Sequence, residues 1–176
     1  MTEVKGFDMA NLYKAISKNN WPAAKEFIDH HPMALNQELV ASTGETPLHV
    51  AVKFGHLSII EELLRLVPPE YLQKLDAHGY TPLGIAASHR GIIPIATCLV
   101  DKNSNALSIP NGQLKLIPAT LAFRVGLCEM GRYLYSVTPL QVFKQKMALW
   151  VFRFSEAVSS LEILTLPWIC FDDVKS

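Results

Sequence analysis

Six histidines and three cysteines are the residues of this 176-residue chain with the widest chemical reach. His30 and His31 are adjacent and so point different ways at a helix end, while His56, His78 and His89 fall in separate turns. Nothing in that spacing assembles a metal site. Cys98 and Cys128 have no base and orienting group indicated beside them, as a cysteine nucleophile needs, and read as small apolar fillers. The glycines follow neither G-x-G-x-x-G nor G-x-x-x-x-G-K order, so no phosphate loop is present. These residues predict no catalytic centre, no metal, no cofactor and no small-molecule substrate.

Composition narrows the class further. Hydrophobic residues make up 49% of the chain and charged ones 18%, against roughly 25% charged in average soluble domains, so the chain has the means to bury a core. Sixteen Lys and Arg balance sixteen Asp and Glu, which gives no bulk field to recruit nucleic acid or an anionic membrane. The cysteines lie 30 and 42 residues apart, which fits a reducing compartment better than a disulfide framework. The opening MTEVKGFDMA lacks the apolar run of a signal peptide and has Thr2 where myristoylation needs glycine. MALWVFRF at 147–154 and ILTLPWICF at 163–171 fall short of the roughly 20 apolar residues that span a bilayer, so no transmembrane segment is expected. The expected location is cytoplasmic.

What must position the polar residues is a repeat. GETPLHVAVKFGH at 44–56 aligns with GYTPLGIAASHRG at 79–91, and extending the register puts Ala15, Ala51, Ala86 and Ala122 in one column, at steps of 36, 35 and 36. Asn19, Gly55, Gly91 and Gly126 form a second column, of the residue types that end helices in the left-handed conformation. Three residues on stand Pro22, Ser58, Pro94 and Glu129, suited to a first helical turn. Apolar residues then recur at helical spacing: Ile59, Ile60, Leu63 and Leu64; Ile95, Leu99 and Val100; Met130, Leu134 and Tyr135; with Trp21, Phe27 and Ile28 in the first unit. Each unit is thus two helices, and the alanines are expected to be buried where helices approach closely.

The run TPLHVAVKFGHLSIIEELL at 46–64 resembles an ankyrin repeat. LYKAISKNNWPAAKEFIDHHP, LDAHGYTPLGIAA and LIPATLAFRVGLCEMGRYLYSVTPL resemble, more narrowly, the N-terminal part of plant ankyrin membrane proteins, the group of accelerated-cell-death and salt-stress regulators. The resemblance implies an all-α ankyrin-repeat solenoid of about four helix-turn-helix units with hairpin-like loops. It spans 10–140, with units at about 10–40, 41–75, 76–110 and 111–137, after an N-terminal extension at 1–9. Such relatives continue into a PGG motif and membrane spans that this chain does not show, which implies a truncated form. His49, in the TPLH motif, resembles the histidine that hydrogen-bonds loop, helix and neighbouring unit. Gly84 takes its place in the next unit, so that joint is expected to lose a bridging bond and be weaker. Asn111-Gly112 is a tight-turn dipeptide where the fourth hairpin should be, and reads as loop chemistry.

Residues free of repeat duties are the candidates for contact with another protein: Ser42, Thr43, Glu45, Lys53 and Phe54 in the second unit, and Ala77, His78, Tyr80, Ser88, His89 and Arg90 in the third. Phe54, Tyr80 and Arg90 are types enriched at binding hot spots, and are expected to be accessible on one face. The remainder, 141–176, follows no repeat and reads as a helical or irregular tail. In it Phe143, Met147, Trp150, Val151, Phe154, Val158 and Leu161 form an apolar stripe suited to capping the last unit. The predicted function is a non-enzymatic protein-interaction module, an adaptor or regulator in plant defence or stress signalling. The alternative is a fragment or subunit of a membrane-anchored ankyrin signalling protein, with membrane association through partners.

Overall fold

The structure, a computed structural model, describes residues 6–89 and 91–143. Arg90 and the tail stripe from Met147 onward therefore lie outside the described residues. Helices come in pairs: α1 (Gly6–Ser17) and α2 (Trp21–His30), α3 (Pro47–Phe54) and α4 (Leu57–Leu66), α5 (Pro82–His89) and α6 (Ile93–Lys102), α7 (Pro118–Arg124) and α8 (Cys128–Val137). Residues 140–143 are again helical. Between pairs the chain makes one 3-10 turn (Pro32–Asn36, Pro69–Gln73, Ser104–Ser108) and one hairpin loop. The bridges Val40–Glu45 and Asn111–Leu116 are the strand-like pairings among the described residues. The solenoid expected from the repeats is the observed architecture.

Local chemistry sets the boundaries. Pro47, Pro82 and Pro118 open the short first helices, where a missing N–H costs nothing and φ is already helical. Those helices end where the sequence places Asn19, Gly55, Gly91 and Gly126, all left-handed, at φ 57°, 77°, 63° and 80°. The Gly55 N–H closes α3 by donating to the Ala51 and Val52 carbonyls.

Packing follows two rows. The first helices α1, α3, α5 and α7 touch in sequence, each also backed by its own second helix; in the outer row the sustained contact is between α4 and α6. Each of the three hairpin loops leads directly into a first helix, so hairpins and first helices form one edge, the inner one. Ala51, Ala86 and Ala122 are buried, as expected, and let the backbones approach. Ala15 is only half-buried, contrary to expectation, because among the described residues α1 begins the row and stacks on α3 alone. Between the rows lie Leu48, Ile59, Ile60, Leu63, Leu83, Ile95, Leu99, Met130 and Leu134, each contributing about 1.5–3 kcal/mol by burial. Tyr135, expected in that stripe, is exposed, its ring 4.7 Å from that of the buried Phe143.

Candidate functional site

The edge that could meet a ligand is built from three hairpins in register. Leu39 N donates to Glu45 O (2.7 Å), Asp76 N to Tyr80 O (2.9 Å), and Asn111 N to Leu116 O (2.7 Å). Their tips are stapled to one another: Ala77 N donates to Thr43 O, and Gly112 N to Gly79 O, both at 2.9 Å. Asp76 stiffens the middle hairpin, its Oδ1 accepting from His78 N (2.9 Å) and Tyr80 N (2.8 Å).

Beneath the tips each joint is pinned by one buried polar side chain. His49 has no exposed surface; its Nδ1 accepts from Thr46 N (3.3 Å) and lies 2.7 Å from Thr46 Oγ1. Its Nε2 therefore carries the proton, which it donates to Tyr80 O of the next unit at 3.1 Å. Burial holds the His49 pKa below the ordinary histidine value, against smaller upward pulls from the Tyr80 carbonyl, Asp76 and Glu45. Neutral His49 is the form this geometry accommodates.

At the next joint the expected loss does not occur. Asn111 reaches back from the fourth unit, and its Oδ1 accepts from Thr81 N (2.7 Å) and Thr81 Oγ1 (2.9 Å), while its Nδ2 donates to Ile109 O (2.6 Å). It occupies the space that the missing side chain of Gly84 leaves, for a Cβ built there would lie 2.0 Å from Asn111 Oδ1. Asn111 is 1% exposed, a buried pin and not merely a turn residue.

The predicted contact residues separate into two groups. Ser42, Ala77, His78 and His89 are exposed along the hairpin and first-helix edge. Thr43 and Ser88 are half-buried and occupied locally, Thr43 donating to Glu45 Oε2 (3.0 Å) and Ser88 to Gly84 O (2.9 Å). Glu45 is a correction: it is 4% exposed, and its Oε1 holds Lys53 Nζ at 2.7 Å. That acid and base are committed to each other. Phe54 and Tyr80 are half-buried rather than open. The Phe54 ring meets Tyr13 edge-on at 6.2 Å and stacks on His56 at 6.1 Å, whereas Tyr80 meets His89 edge-on at 6.4 Å.

Five exposed residues of the fourth unit share this edge and were not singled out: Gln113, Leu114, Lys115, Arg124 and Val125. Register from Ala122 finds two of them, since Arg124 and Val125 stand where Lys53 and Phe54 follow Ala51. The absence of a TPL motif hid the equivalence.

The other histidines and the cysteines occupy separate places. His30 Nδ1 contacts the Glu26 carbonyl at 2.7 Å, His31 packs on Phe27, and His56 Nε2 reaches Ser17 O at 3.0 Å. No cluster of three or more His, Cys, Asp or Glu suited to a metal occurs among the described residues. Cys98 is half-buried, and burial together with Glu61 and Asp101 pushes its thiol pKa up, the direction opposite to activation. Cys128, read as a second filler, is bonded rather than free.

Known proteins carry the same pattern. The family model described as ankyrin repeats, three copies, matches residues 12–110. The Arabidopsis thaliana ankyrin repeat-containing protein ITN1 is 40% identical over 58 residues, 32% of this chain and 10% of that protein. The chain thus matches about a tenth of that relative's length. Among solved structures, a chain in the crystal structure of the yeast ribosomal protein Rps3 in complex with its chaperone Yar1 superposes with a TM-score of 0.66 at 18% identity. The superposition covers 74% of this chain and 93% of that one, and it speaks to the fold alone.

Proposed function

This chain belongs to the ankyrin-repeat family and is thereby a protein-interaction module, and we propose that it serves as a non-enzymatic adaptor or regulator in plant defence or abiotic-stress signalling. The observation that carries the adaptor reading is the stapled edge. Backbone bonds and buried pins fix the hairpins, while Ser42, Ala77, His78, His89 and Leu114 stay exposed above them. A rigid back with an accessible edge lowers the ordering cost of gripping a partner. The plant setting rests on the partial likeness to ITN1 and on the resemblance of the opening and fourth-unit segments to plant ankyrin regulators.

Affinity capture from plant extract followed by mass spectrometry tests the reading. The wild-type chain is expected to retain a partner that is lost when Ser42→Arg, His78→Ala and His89→Ala are combined, with the helical circular dichroism signal intact. Equal capture by both would move the interface off this edge. The alternative, a piece or subunit of a membrane-anchored ankyrin protein, is supported by the small share of the relative that is matched. No helix among the described residues is long and apolar enough to cross a membrane. Detergent-free fractionation separates the two readings: a cytoplasmic adaptor stays in the supernatant, and a subunit held by membrane partners pellets.

A further inference from the structure

The balanced net charge conceals a separation between the two rows. On the hairpins and first helices the acids with described side chains are Glu45 and Asp76, both buried; Glu38, at the foot of the first hairpin, is exposed and lies 3.9 Å from Lys74. The exposed basic side chains at the inner edge are Lys18 after α1, His89 in α5, Arg124 in α7 and Lys115 on the last hairpin, while the half-buried Lys53 of α3 is paired with Glu45. Lys18, Lys115 and Arg124 have no ion-pair partner among the described residues. The outer row is the opposite. There Lys25, Arg65 and Arg132 pair with Asp29, Glu62 and Glu129, which leaves Glu26, Glu61, Glu70 and Asp101 as exposed acids beside one half-buried base, Lys102.

A base at a helix C-terminus contributes about 0.3–1 kcal/mol through the dipole, which explains any one of them. The dipole does not explain why the described hairpins carry no exposed acid beyond Glu38 at the foot of the first, nor why apolar Leu114, at 55% exposure, and Val125, at 45%, stand directly beside Lys115 and Arg124.

We propose that the inner edge binds an extended acidic segment of a partner protein, with carboxylates spaced about three residues apart. Neighbouring packed helices lie about 8–10 Å apart, so successive bases repeat at that interval. An extended chain advances about 3.3 Å per residue, which brings every third side chain opposite the next unit. The apolar residues between the bases favour a peptide over nucleic acid, whose affinity rests on many phosphate contacts and on few apolar ones. This inference rests on the adaptor reading and adds the chemistry of the partner.

The test uses the full chain and a fluorescent 13-residue peptide with Glu at every third position and Leu or Ser between, read by anisotropy. The Glu peptide should bind and weaken from 50 to 300 mM salt. Combining Lys18→Gln, Lys115→Gln and Arg124→Gln should lower affinity at least about tenfold, while Glu61→Gln with Asp101→Asn on the outer row leaves it unchanged. No binding, equal binding of the Lys counterpart, tighter binding of oligouridine or of phosphatidylserine vesicles, or an equal loss from the outer-row variant overturns the proposal. Cross-linking to a captured partner keeps the two readings apart. A partner mapped to the inner edge by a non-acidic segment sinks this inference and leaves the adaptor standing, whereas one mapped to the outer row removes both.

Discussion

The joint between the second and third units and the joint between the third and fourth do the same work by opposite means. In the first, a side chain on a helix, His49, reaches forward to the Tyr80 carbonyl of the next unit. In the second, a side chain on a hairpin, Asn111, reaches backward to the Thr81 N–H and hydroxyl. Thr46 and Thr81 occupy equivalent positions, and each needs a buried acceptor. Leaving such a donor unsatisfied costs about 1–3 kcal/mol, so the requirement belongs to the threonine and either neighbour can meet it. Gly84 and Asn111 form a linked pair: the vacancy at one is filled by the other.

The largest expected effect comes from forcing the second joint to copy the first. Gly84→His restores the TPLH spelling yet drives its Cβ into Asn111, and the overpacking should cost about 3 kcal/mol in a denaturant melt. Combining it with Asn111→Gly should recover part of that loss. A double variant as unstable as the two single losses added would show that the residues do not compensate.

Asn111→Ala leaves both Thr81 donors without their acceptor and should cost about 1–3 kcal/mol. His49→Ala should cost a similar amount by leaving the Thr46 N–H without its acceptor and the Tyr80 carbonyl with only its bond from Asp76 N, so comparable shifts in the two melts are expected. A loss confined to His49 would make the second joint the dispensable one.

Ala51→Leu probes the close packing of α3 in the first-helix row, and should cost about 1–3 kcal/mol, against less for Leu63→Ile. Equal melting of these two variants would mean that the first-helix row is not tightly packed.

The smallest effect separates the pins by pH. Because the folded His49 pKa lies below its unfolded value, the unfolded chain takes up the proton first as pH falls. Stability contributed by this group is complete above about pH 6.5, the unfolded value, and is lost as pH drops through and below it toward the folded pKa. The Tm should therefore fall between pH 7.5 and 5.0, with a shallower fall in His49→Gln. Asn111 does not titrate, and Asn111→Ala should keep the wild-type slope.

Legibility in the sequence followed whether a requirement was local. Asn19, Gly55, Gly91 and Gly126 were readable as helix ends because a left-handed residue is demanded by the backbone at that one position. His49 was readable through the resemblance of the local TPLH motif, which implied both its bond to Thr46 and its bond to the neighbouring unit. Asn111 was readable as a turn but not as a pin, since its partner is 30 residues distant. Glu45 looked like a free surface acid for the same reason, its base standing eight residues along on the following helix. Phe54 and Tyr80 have the composition of hot spots, but Tyr13 and Gly112, from other units, cover part of each ring.

By itself the sequence determined the repeat, the helix boundaries, the small-residue column and the family. Each is written as a periodic choice of residue that short-range sterics and hydrogen bonding enforce in every unit. Only the tertiary structure decided which polar groups are pins and which are free, that Ala15 in the first described helix stays half-exposed, and that a chain of no net charge keeps most of its exposed acids on the outer row and the unpaired bases Lys18, Lys115 and Arg124 on the inner edge. Those outcomes depend on which units become neighbours, because burial, pairing and the sign of a surface are properties of side chains gathered from different repeats.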